Sequence, residues 1–129
     1  MWRIIQRVVA VLTVLHALAT AVFGRVLYPH DAWNQLLFSQ HAFAFLFIAL
    51  LNLVVWQAPA RGSLSRWALH ACNAGFLAFY VAMTVQKPEP PHVTAVVLLA
   101  AFLITGMMLE LVLRAGPAVP ARGFAPAPL

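Results

Sequence analysis

The sequence predicts an all-α integral membrane protein, four transmembrane helices in an up-down-up-down bundle, and three observations carry that prediction. Four apolar runs, roughly Val8 to Leu27, Leu36 to Trp56, Trp67 to Val85 and Val93 to Leu113, fill nearly all of the 129 residues. Each is close to the ~20 residues with which a helix crosses a ~30 Å hydrocarbon core. The composition is 64% hydrophobic and 9% charged, with a mean hydropathy of +0.89. A water-facing surface needs about a quarter of its residues charged, so most of this surface is expected to face lipid. The breaks between runs are short and carry proline and charge, so successive helices must lie side by side and alternate in direction.

The first helix is expected over residues 8–27. Arg3, Arg7 and the Ala17-Leu18-Ala19 triplet imitate a secretory signal, but the run continues apolar to Leu27 and is long enough to span uncleaved. The second, over 32–57, is expected to start at Asp31, whose carboxylate can accept backbone N–H bonds as an N-cap and meet the positive helix end. Ser63 or Ser65 can cap the third, over 64–86, in the same way. The fourth, over 92–115, has Pro90-Pro91 at its first turn, where a missing N–H costs nothing, and Gly116-Pro117 as its stop. Residues 1–116 thus make a single bundle, and 117–129 read as a flexible Ala/Pro/Gly-rich tail without apolar periodicity.

Arginine and lysine fall unequally on the two sides. Arg3, Arg7, Arg61, Arg66, Arg114 and Arg122 share one side, Arg25 and Lys87 the other. Positively charged loops resist translocation, so both termini are expected in the cytoplasm, and the composition suggests a bacterial inner membrane. The net charge of +5 sits at helix ends and reports orientation, with no nucleic acid expected as partner. Trp2, Trp33, Trp56 and Trp67 also fall at helix ends, where an indole keeps its N–H among headgroups. Cys72 is the single cysteine, so there is no disulfide framework and no multi-cysteine metal site.

Polar residues inside the spans are costly in lipid and tend to face the bundle. Thr13, His16, Ala17, Thr20 and Gly24 recur at three- and four-residue intervals and make one small, polar stripe. It reads as a packing seam, with a ligand, proton-relay or haem role for His16 as the alternative. Helix three carries His70, Asn73, Ala74, Leu77, Tyr80 and Thr84; helix two carries Gln40, His41 and Asn52; helix four carries Thr94, Thr105 and Glu110. His16, Asn52, His70, Asn73 and Glu110 are the candidate polar pocket. Against it stands a plainer reading in which Glu110 pairs with Arg114 at i,i+4.

On the other side His30, Asp31, His41 and His92 form a candidate extracytoplasmic metal site, since imidazole and carboxylate suit zinc, copper or nickel. Their spacing matches no compact metal signature, and histidines at an interface beside one capping aspartate are the commoner arrangement. A bis-histidine haem needs two histidines at like depth on facing helices, whereas His16, His41 and His70 fall at three depths. No cofactor is therefore expected, with haem or a divalent metal kept as the alternative.

Catalytic signatures are absent: the chain has no G-x-S-x-G elbow, no glycine-rich phosphate loop and no paired carboxylates within a span, so an enzyme is not expected. In length and number of spans the chain resembles the small multidrug resistance transporters, whose essential first-helix glutamate has no counterpart here. Helix one carries His16 and no acid. The layout is also similar to DoxX-type and other small bacterial four-helix membrane proteins, by hydropathy over the whole chain without a shared motif, and no functional residue is carried over. The function expected is that of an accessory, assembly or interaction subunit, bound to lipid and to other transmembrane helices in a homo-oligomer or larger complex. A small-ligand or ion transporter is the second reading, and a haem- or metal-binding electron-transfer component the third.

Overall fold

The computed structural model describes residues 1–57 and 63–115, with Ser63 described by its backbone alone. Four helices account for almost all of them: α1 (Trp2–Leu27), α2 (Ala32–Gln57), α3 (Ser63–Gln86) and α4 (Pro90–Arg114). At ~1.5 Å rise per residue each is about 36 to 39 Å long, enough to cross a membrane core. All four are long and apolar enough to span one. The chain is an all-α four-helix bundle of multi-pass membrane type. Around the bundle α1 packs chiefly on α2 and α4, and α3 chiefly on α4; the α2–α3 seam is the thinnest.

Two helix starts follow the local chemistry expected of them. The Asn34 backbone N–H donates to Asp31 Oδ1 at 3.0 Å and the Asn34 side-chain amide to Asp31 Oδ2 at 2.6 Å, so Asp31 closes the first turn of α2. The Asn34 backbone bond, foremost, holds the Asp31 carboxyl below its usual range. Pro90 and Pro91 open α4 behind Glu89. Glu89 also bonds Lys87 at 2.7 Å, which holds that ammonium above its usual range. Ser65 is already inside the first turn of α3, and the Ser63 side chain, Arg61, Gly116-Pro117 and the 117–129 tail lie outside the described residues.

Helix α1 begins six residues earlier than its apolar run suggests. Ile4 and Ile5 continue the apolar pattern, Arg3 and Arg7 point outward, and Gln6 turns inward and is buried. The core between the helices is built from Val9, Ala10 and Ala17 of α1, Ala42, Phe45 and Ile48 of α2, Tyr80 of α3 and Ala95, Leu99 and Phe102 of α4. The Thr13/Ala17/Thr20/Gly24 seam of α1 is buried, and it works by closeness. A Cβ at Gly24 would lie only 2.8 Å from Phe38 Cγ, so glycine is what allows α2 to approach.

Candidate functional site

A polar layer contributed by all four helices crosses the bundle. Gln6 Nε2 of α1 donates to Asn52 Oδ1 of α2 at 3.1 Å. Asn52 and Asn73 of α3 exchange amide bonds in both directions, each 3.1 Å. The second Asn52 amide hydrogen goes to the Ile48 carbonyl at 2.9 Å. Asn52 thus fills its whole capacity, two bonds donated and two accepted, while fully buried. The Thr105 hydroxyl of α4 completes the layer, donating to Gln6 Oε1 and to the Ala101 carbonyl by turns, since it has one proton to give. These groups bond one another. In lipid, where apolar burial does not draw helices together, such a layer fixes which helices meet and in what register.

Glu110 sits apart from that layer, in an ion cluster on the same arginine-bearing end. Arg66 Nε of α3 reaches Glu110 Oε2 at 2.7 Å and Arg114 Nε reaches Oε1 at 3.2 Å. The i,i+4 partner read from the sequence is present, yet the shorter bond comes from the neighbouring helix. Beside the cluster His70 stands between Trp56 and Trp67, with ring centroids 5.9 and 6.1 Å away. Both His70 ring nitrogens and the Trp56 indole nitrogen are enclosed without a hydrogen-bond partner among the described residues. Gly106 makes room for this ring, since a Cβ there would meet His70 Cε1 at 2.7 Å. Trp67, His70, Ala71, Ala74, Leu103, Met107, Glu110, Leu111 and Arg114 line a groove of ≈ 470 Å³ between α3 and α4.

The five residues of the candidate polar pocket therefore go to three places. Asn52 and Asn73 belong to the bonded layer, His70 and Glu110 to the groove, and His16 lies half-buried on α1 with its ring edge-on to Phe45 at 4.9 Å. At the opposite end His41 and His92 come together, their rings 6.3 Å apart, with Tyr80 5.7 Å from His41. His92 Nδ1 lies 3.0 Å from the Lys87 carbonyl, which can only accept, so Nδ1 is the donor in that bond. His30 is exposed in the first loop and Asp31 is occupied in capping α2. Among the described residues no three His, Cys, Asp or Glu side chains converge as metal ligands.

Two features escaped the sequence reading. Gln6 lay ahead of the first apolar run, between two arginines, and nothing local marked it as inward. The second is the outward face of α3, where Ala68, Ala71, Gly75, Ala78 and Ala82 are all exposed. Their three- and four-residue spacing was legible, and a Cβ at Gly75 would have no atom within 4 Å. Compared with known proteins, the chain matches no family model, no curated protein and no solved structure.

Proposed function

We propose that this chain is a non-catalytic interaction subunit of a bacterial inner membrane, and that its contact surface is the outward face of α3. The observation that carries the reading is the open Gly75, centred in a stripe of four alanines on the side of α3 turned away from the bundle. Small residues let helix backbones approach closely, and close approach is what gives van der Waals gain between helices already in lipid. The remaining outward faces carry bulkier groups such as Val11, Leu15 and Leu18 on α1 or Val97, Ile104 and Met108 on α4, which suit acyl chains. The α3 stripe has no charged or polar group to select a distinct partner, so shape alone governs the fit, and a second copy of the chain offers the same shape.

The carrier reading has less to rest on, because the central amides bond one another. Site-directed cross-linking tests the proposal. In vesicles, a cysteine at Ala78 in a Cys72→Ala background is expected to give a disulfide-linked dimer, while a cysteine at Val11 of α1 is not. Dimer from Val11 and none from Ala78 would overturn the α3 assignment; a heterologous protein captured at Ala78 would replace the homo-oligomer with a larger complex.

A further inference from the structure

We infer that the groove between α3 and α4 is a binding site for one anionic glycerophospholipid, its phosphate at Arg114 and one acyl chain lying along the groove. Three observations converge. The first is depth. On α4 the lining runs from Arg114 to Leu103, eleven residues, or about 16 Å at ~1.5 Å per residue. Half of a ~30 Å hydrocarbon core is about 15 Å, so the groove is one leaflet deep.

The second is the lining. Away from the charged end the walls are Ala71 and Ala74 on α3 and Leu103, Met107 and Leu111 on α4, an apolar trough with two alanines making its width. His70 also lines it, but both its ring nitrogens are enclosed, so no polar atom of the trough wall is presented to a ligand there. An alkyl chain needs none.

The third is charge. Arg114 at the mouth of the groove and Arg66 beside it both pair with the Glu110 carboxylate, so among the described residues two positive charges stand there against one negative. Arg114 is the accessible member, its side chain 61% exposed against 14% for Glu110, and among the described residues it bonds only that carboxylate, through Nε. Its guanidinium keeps donors for a phosphate oxygen. Trp67, lining the same mouth, is placed where an indole sits among headgroups. The excess positive charge selects an anionic headgroup over a zwitterionic one. The groove and the small-residue face of α3 share Ala71 but are separate surfaces, so this site stands or falls without the partner proposed above.

Fluorescence quenching tests it. The full chain, with Trp67 kept as sole tryptophan by Phe at Trp2, Trp33 and Trp56, is reconstituted in phosphatidylcholine vesicles containing a minority of chain-brominated lipid. Brominated phosphatidylglycerol is expected to quench Trp67 at about five-fold lower mole fraction than brominated phosphatidylcholine, the factor that one basic residue near an anionic surface supplies. Arg114→Gln should bring the two lipids level, whereas Arg3→Gln, which removes the same charge at the same end but away from the groove, should leave the preference intact. Ala74→Phe, which fills the trough, should lower quenching by phosphatidylglycerol towards that of phosphatidylcholine. Equal quenching by both lipids in the parent chain would overturn the site. So would a preference lost equally in the Arg3 and Arg114 variants, which signals general charge attraction, or brominated oleate quenching as well as phosphatidylglycerol, which signals that no phosphate is read.

Discussion

Two stripes of small residues run along this molecule with the same three- and four-residue spacing, and they meet opposite fates. On α1, Thr13, Ala17, Thr20 and Gly24 are buried, and the space above Gly24 is taken by Phe38. On α3, Ala68, Ala71, Gly75, Ala78 and Ala82 are exposed, and the space above Gly75 is empty to 4 Å. The first stripe is consumed in joining α1 to α2. Small residues carry the same packing potential in both places, so the difference teaches that the bundle leaves a small-residue face of α3 uncovered while the inner face, with Leu69, Asn73 and Tyr80, holds α3 to the bundle.

The largest expected effect breaks the consumed stripe. Gly24→Leu should destabilise the fold towards the upper end of the ~1–3 kcal/mol that overpacking costs, since Phe38 Cβ and Cγ cannot withdraw without moving α2. Thermal unfolding in detergent reads it; an unchanged midpoint would mean the α1–α2 contact is looser than described. Next comes the polar layer. Asn52→Leu removes three interhelical hydrogen bonds, each averaging ~0.6 kcal/mol between membrane helices, for a loss of about 2 kcal/mol. Full stability in that variant would show that the amides serve something other than cohesion.

The four spans, the Asp31 cap and the α1 seam were legible because each is written in neighbouring residues: a run of apolar side chains, a cap before a run, a stripe repeating every three or four positions. What stayed hidden depends on which helices meet. Arg66 and Glu110 are 44 residues apart, and only the α3–α4 pairing brings them to 2.7 Å. Gln6 looks like part of a charged leader until α1 is seen to continue through it to Trp2. Asn52, His70 and Glu110 share a similar depth, yet helix rotation sends the amide into the bundle and the other two to the groove.

Smaller effects sharpen the comparison at the edges of α3 and α2. Glu110→Gln leaves Arg66 and Arg114 without their shared carboxylate and should cost about 1 kcal/mol, the upper end for exposed ion pairs, since Glu110 and Arg66 are largely covered and only Arg114 is open. Arg114→Gln should cost less, as the shorter bond to Arg66 survives; the reverse order of midpoints would return Glu110 to a pairing within α4. Asp31→Ala should have the least effect, loosening the first turn of α2. Its carboxyl is held low by the Asn34 backbone bond, so its contribution is complete above the ordinary value of 3.8 and fades as pH falls through the lower folded value. The parent and the variant should therefore converge in acid, and a difference growing as pH falls would contradict that sign.

The open stripe itself is tested most directly by Gly75→Leu, measured for association and for folding in one preparation. Donor- and acceptor-labelled chains in vesicles should show energy transfer that rises with protein density in the parent and collapses in the variant, while the two chains unfold at the same temperature. Transfer that is equal in both, with folding intact, would mean that the outward face of α3 meets only lipid, and the interaction reading would lose its surface.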